Sequence, residues 1–373
     1  MSPSLHRGVV SALAVIAIGC GGRYGGSAAR HPEPAKRGIE AAALPYQIVD
    51  ARTRKSVDEP AFWGRLASAR AVCVGEEHSN PHHHWMQLHI VRELIKRLPR
   101  GGKLALAMEM FQRPFQGVLD DYAARRIDAA ALRSRSGYEE RWGYDYAFYG
   151  PTIDAAVGAG AQLLAANAAK ELTKKVVHHG LPSLTADERA QLPELVLDDA
   201  AHRAWFDATM EDMGGSSAHA QKPAAAAGEP KVTSSSVDTR SSEADKPRPA
   251  KPPVHGDDDA PEMPSADRIY TVQVIWDETM ADTSAKWLAA NPGGHLILLA
   301  GNGHCHDSAI ISRMKRRGVA DAISVRGVID DGEGSVGEVL AKPINDYVLV
   351  LQMPPGVHRK TDDKDDGDKE PNR

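Results

Sequence analysis

The chain has 373 residues, 42% hydrophobic and 25% charged, which is enough apolar material for a sizeable core. Its formal charge of −5 at pH 7 argues against a polyanionic partner, and so against nucleic acid. Three cysteines are too few for a disulfide framework, the usual device of small secreted scaffolds.

At the N-terminus His6 and Arg7 precede an apolar run over residues 8–18, followed by Gly19 and Cys20. That order of positive charge, apolar core, small residue and cysteine predicts a lipoprotein signal peptide over residues 1–19. The run is too short for the roughly 20 residues that span a bilayer. Cys20 is then the mature N-terminus, and its acyl chains anchor the protein to a bacterial membrane with the domain outside the cytoplasm. Gly21 is not the aspartate associated with inner-membrane retention in some bacteria, which favours the outer membrane. Residues 20–43, rich in Gly, Ala, Arg and Pro, read as a flexible tether. Residues 214–264 hold almost no large apolar side chain and read as a disordered insertion, and residues 358–373 as a disordered charged tail.

Residues 44–213 and 265–357 remain as a single domain. Short apolar runs at 71–75, 103–108, 162–166, 295–300, 322–328 and 347–353 predict strands. Near-continuous apolar strands suit a sheet covered on both faces, so the fold class is α/β, with a mostly parallel central sheet flanked by helices. Leu88, Val91, Ile95 and Leu98 place a helix over residues 81–98, with Asn80 as its cap and Pro81 in its first turn. A small helical subdomain is expected over residues 116–151, and a second long helix over 267–290.

Four polar clusters follow four of the strands: Glu76-Glu77-His78, Glu109-Met110-Phe111, Asn167, and Asn302-Gly303-His304-Cys305-His306. Ligands of open α/β sheets bind beyond the carboxyl ends of the strands, so these clusters converge on one candidate site. Glu77, His78, Glu109 and His304 are the candidate catalytic residues, acting as general acid and base or through a metal. Glu77, His78 and His304 are the candidate ligands of a divalent ion. Replacing His304 by alanine is expected to damage the site and spare the fold. His82, His83 and His84 lie in the first helical turn, where the helix dipole disfavours an imidazolium, although three successive positions cannot all face one site. The segment 141–151 gathers Trp142, Tyr144, Tyr146, Phe148 and Tyr149, either as subdomain packing or as an apolar binding surface carrying a tyrosinate for haem iron. Cys305, between two histidines, invites a thiol-nucleophile reading, whereas Cys73 reads as strand packing; together they could form one disulfide. Gln273, Asp277 and Ala281 recur on one face of the second long helix, either lining the pocket or simply packing. Gly-x-Ser-x-Gly, Walker and dinucleotide signatures are absent, as is the Cys-x-x-Cys-His of covalent haem.

The run from Val74 to Pro81, the run from Ala107 to Phe111, residues 144–151, residues 273–281 and the Gly301-Asn302-Gly303-His304 turn together resemble the ChaN-like haem-binding uptake lipoproteins of the Tiki superfamily. The resemblance implies a lipid-anchored α/β protein that binds haem non-covalently, as a homodimer around the haem, and takes part in haem or iron uptake. Tyr146, Tyr149, His304 and His82 are the candidate haem-binding residues. The wider superfamily also includes Tiki-like metalloproteases and erythromycin esterases, which implies an alternative: a metal-dependent hydrolase using Glu77, His78, Glu109 and His304.

Overall fold

A computed structural model describes residues 44–99, 101–212 and 264–352. The signal peptide with Cys20, the tether, the charged tail and all but the last residue of the insertion lie outside the described residues.

Eight strands form one sheet: β1 (Tyr46–Asp50), β2 (Lys55–Ser56), β3 (Ala71–Glu76), β4 (Leu104–Gln112), β5 (Gln162–Asn167), β6 (His295–Gly301), β7 (Ala322–Asp330) and β8 (Tyr347–Gln352). Their order is β2-β1-β8-β7-β3-β6-β4-β5. From β8 to β5 every pairing is parallel, whereas β1 runs antiparallel to β8 and β2 to β1. The expected α/β class with a mostly parallel sheet is therefore observed, and all six expected strands are present. The antiparallel strands β1 and β2, at one end of the sheet, were not anticipated.

Alternation along the strands sends their side chains to two different cores. Val72 and Val74 of β3, Leu106 and Met108 of β4 and Leu299 of β6 pack with Met86, Ile90 and Leu94 of the helix Pro81–Arg97 and Ile153 of the helix Gly150–Gly158. On the opposite face Ala71, Cys73, Ala105, Ala107, Leu298 and Ala300 meet Met280, Ala281 and Ala285 of the helix Ala266–Ala290. The small residues on that face let the long helix lie close to the strands. Both long helices start as the sequence dictates, since Asn80 Oδ1 accepts the His82 N–H and the Ser265 side chain accepts the Arg268 N–H.

The stretch 116–151 holds four separate helical pieces, Gln116–Ala123, Ala129–Ser136, Tyr138–Arg141 and a 3-10 turn at Tyr146–Phe148, and the start of the helix Gly150–Gly158. The left-handed Gly137 separates the second from the third. Cys73 and Cys305 form a disulfide with Cα atoms 5.4 Å apart, and both residues are fully buried. Cys305 is thus no free nucleophile, and Cys73 does more than fill space. The bond ties β3 to the loop that follows β6, where His304 stands.

Candidate functional site

β3, β6 and β4 are consecutive in the sheet and parallel, so their carboxyl ends lie side by side. Glu76 is the last residue of β3, paired with Gly301 of β6. It shares the parity of Val72 and Val74, so its side chain enters the helix-covered interior, where it is fully buried. Its Oε1 accepts hydrogen bonds of 2.7 Å from the Tyr149 hydroxyl and 2.7 Å from His78 Nδ1. Its Oε2 lies 3.1 Å from Nδ1 of His84, whose Nε2 donates to the His78 carbonyl oxygen.

Glu109 follows the point where β4 leaves β6, within a register shift relative to β5. Such an irregularity re-aims a side chain. Here Glu109 Oε2 accepts the Gly301 N–H at 2.7 Å, and Oε1 stands 3.4 Å from His304 Nε2. A side chain at Gly301 would collide with the His78 ring 3.0 Å away, so glycine permits the approach of His78. His304 hangs from the turn after β6, held by its own N–H to the Gly301 carbonyl. Its Nδ1 donates to Asp277 Oδ1 at 2.6 Å. Asp277 and Gln273 lie on the face of the helix Ala266–Ala290 that meets this turn, and Gln273 Nε2 donates to the Gly303 carbonyl.

The site is therefore an alternating array of buried acids and imidazoles. Burial works against charge on Glu76, His78, Glu109, Asp277 and His304, and their neighbours outweigh it. His84 and His78 hold the Glu76 carboxyl below its ordinary value, His304 and His78 do the same for Glu109, and His304 and His202 for Asp277. Reciprocally, Glu109 and Asp277 push His304 up to about 10. His78 is raised by Glu76 and Glu109. Two other buried histidines, His83 and His306, are driven down to about 3 by desolvation.

These shifts predict a stability maximum near pH 6.5, the ordinary histidine value. The His304 contribution is complete below pH 6.5 and is lost as pH rises through about 10. His83 and His306 act the other way, because the unfolded chain takes up their protons first as pH falls from 6.5 toward 3. Glu76 and Asp277 add a further loss once pH drops below roughly 4. Each group contributes a slope of at most about 1.4 kcal/mol per pH unit, and the acid and base partners of one ion pair count once. Urea unfolding at a series of pH values checks this, and a flat profile between about pH 5 and 8 would contradict it.

Of the sequence candidates, His78, Glu109 and His304 come together and Glu77 does not. The alternation that turns Glu76 inward turns Glu77 away, toward Asn80, its hydrogen-bond partner at 3.3 Å, and the charge of Arg326. Among the described residues no three His, Cys, Asp or Glu side chains are arranged to hold a metal ion, so Glu77, His78 and His304 do not form the expected ligand set. His82 is half-buried, and no hydrogen bond or ring contact joins it to the array. Tyr149 is fully buried with its hydroxyl spent on Glu76, and the Tyr146 hydroxyl is buried beside Tyr122. Neither oxygen is open to a ligand. The tyrosine at the site is Tyr144, half-buried, its ring 4.8 Å from His78 and 5.4 Å from Trp142. Sequence reasoning missed Glu76 and His202 as members of the array.

Fold and site together define an α/β domain with a buried array of acids and imidazoles beyond the carboxyl ends of its central strands. The family described as "Haem-binding uptake, Tiki superfamily, ChaN" matches residues 62–314, more than half of the chain, and the chain belongs to it. A solved structure of ChaN of Campylobacter jejuni, described as cofacial heme binding, aligns with a TM-score of 0.54 at 15% identity, over 83% of this chain and 97% of that one. A mutant of an erythromycin esterase in its open conformation aligns with a TM-score of 0.36 at 11% identity, over 83% of each chain. Among curated proteins, RETICULATA-RELATED 5 of Arabidopsis thaliana, a chloroplastic protein, is 29% identical over 136 residues. That match takes in 35% of this chain and spans only 18% of the plant protein.

Proposed function

We propose that the domain binds haem non-covalently over Tyr144, as a membrane-anchored lipoprotein serving haem or iron uptake. The observation that carries this reading, beside the family, is the half-buried Tyr144 ring tilted against His78 at the strand ends, with ring centres 4.8 Å apart. The residues fit the group. Tyr144 offers a phenol oxygen with no hydrogen-bond partner among the described residues, and Trp142 extends the aromatic surface beside it. Haem iron, when bound, supplies a Lewis acid that favours the phenolate. Burial, followed by the charges of Glu109 and Glu76, raises the Tyr144 phenol, so ligation through it must release a proton. Hemin affinity should accordingly tighten with rising pH in the wild type. Titration with hemin followed in the Soret band is expected to show saturable binding at micromolar concentration, with at least roughly tenfold weaker binding in Tyr144→Phe. Equal affinity in the two proteins would remove Tyr144 from the site.

Anchoring through Cys20 outside the cytoplasm is supported by the signal order and by a disulfide that suits an oxidising compartment. Recovery of a Cys20→Ser chain in the membrane fraction would count against it. A homodimer around haem would show as a hemin-dependent change in sedimentation. A second reading, hydrolysis of an ester or amide, is favoured by the line Asp277–His304–Glu109, which places a buried imidazole between two carboxylates. Turnover of an activated ester by the haem-free domain distinguishes the two.

A further inference from the structure

The contacts of Asp277 continue past the array. Its Oδ1 takes the His304 Nδ1 proton, while its Oδ2 lies 3.1 Å from Nε2 of His202, which stands on the helix Ala200–Asp212. The other nitrogen of His202, Nδ1, lies 3.1 Å from Nη2 of Arg313. A guanidinium only donates, so Nδ1 of His202 accepts and the ring proton sits on Nε2, the nitrogen on the Asp277 side, in a close electrostatic contact rather than an aligned hydrogen bond. Arg313 itself comes no nearer than 4.0 Å to Asp277 Oδ2, and its Nε is 3.3 Å from Glu278 Oε1. His202 is thus interposed between the Asp277 carboxylate and a buried cation that competes with His304 for it. All three of His202, Asp277 and Arg313 are essentially without solvent contact.

The helix that carries His202 is firmly seated. The Trp205 ring centre is 4.2 Å from that of His306, two residues beyond His304, and Phe206 packs against Tyr270 and Val274 of the helix Ala266–Ala290. His202 supplies this helix's ion-pair contact with Asp277.

From this arrangement we infer that His202 is a positioning residue for His304: by occupying Asp277 Oδ2 and screening Arg313, it keeps Oδ1 turned to His304 Nδ1 and so fixes which face of the imidazole looks toward Glu109. The helix Ala200–Asp212 is then part of the site's construction, although it contributes no group that meets the ligand. This holds for the site itself and does not require the ligand to be haem.

The test reads the ligand-free protein by NMR. A His304 Nδ1–H donating over 2.6 Å to a buried carboxylate gives a far-downfield proton resonance that exchanges slowly with water. In His202→Phe, which keeps a ring beside Trp205, that resonance is expected to move upfield and exchange with solvent at least roughly tenfold faster, because Asp277 is free to turn toward Arg313. In His202→Gln, whose amide nitrogen reaches the place of Nε2, the resonance is expected to return to its wild-type position. Should the phenylalanine variant fail to fold, His202→Asn serves instead, since its shorter amide leaves Asp277 Oδ2 unmet while keeping polarity. An unchanged resonance in the Phe or Asn variant, or failure of Gln to restore it in a folded protein, overturns the inference. Hemin titration of the same variants is a separate readout, so loss of the haem reading leaves this result interpretable.

Discussion

Replacing His304 by alanine is expected to destabilise the ligand-free domain by about 3 kcal/mol and to weaken hemin binding by roughly tenfold or more. A strand-end loop residue would ordinarily be removed without harm to the fold, and the sequence suggests as much. The structure reverses that expectation because His304 lies between two buried carboxylates, Asp277 at 2.6 Å and Glu109 at 3.4 Å. The loss falls at the low end of what breaking a buried pair costs, since Asp277 keeps His202 beside it and Glu109 keeps the Gly301 N–H. His304→Asn separates the two effects. Its amide can still donate to Asp277, so stability should fall by only about 1 kcal/mol while the group facing Glu109 is gone. Urea unfolding and hemin titration of both variants check this. An alanine variant as stable as wild type would show that the Asp277 contact contributes nothing.

Glu76→Ala is expected to cost about 4 kcal/mol, with Glu77→Ala costing under about 1. Removing Glu76 strands the Tyr149 hydroxyl and His78 Nδ1 in the interior, each 2.7 Å from the lost oxygen, and leaves His84 without its nearest charge. An unsatisfied buried group costs about 1–3 kcal/mol, and here more than one is created at a stroke. Combining Glu76→Ala with Tyr149→Phe should recover about 1–2 kcal/mol of the sum, because the phenylalanine has no hydroxyl to strand. His78 would lose its orientation over Gly301, so hemin affinity should fall with stability in Glu76→Ala and stay unchanged in Glu77→Ala. The reverse pattern would restore Glu77 to the site.

The neighbouring pair Glu76 and Glu77 shows what the sequence did and did not disclose. Both follow an apolar run, and only the period-two alternation from Val72 through Val74 tells which carboxylate is inside. That signal is present in the sequence. The six parallel strands were legible because each is a block of apolar residues, whereas β1 is half polar and β2 only two residues long. The sequence points to Tyr146 and Tyr149 rather than Tyr144, but their exposures depend on how a 3-10 turn at Tyr146–Phe148 seats them. His202 carried no local signal at all. Its significance comes from Asp277 and Arg313, which reach it only through packing of the helix Ala266–Ala290 and the turn after β6.

The disulfide closes a span of 232 residues, and residues 213–263 fall inside that span. Every covalent connection between the two halves of the array runs through this stretch of chain or through the sulfur bridge: His78 and Glu109 precede it, Asp277 and His304 follow it. A protease that cut the backbone within residues 213–263 would therefore yield two fragments still joined covalently, running as one species on a non-reducing gel and as two once reduced. In chemical terms β3 and the His304 turn remain fastened to each other whatever becomes of the peptide between them.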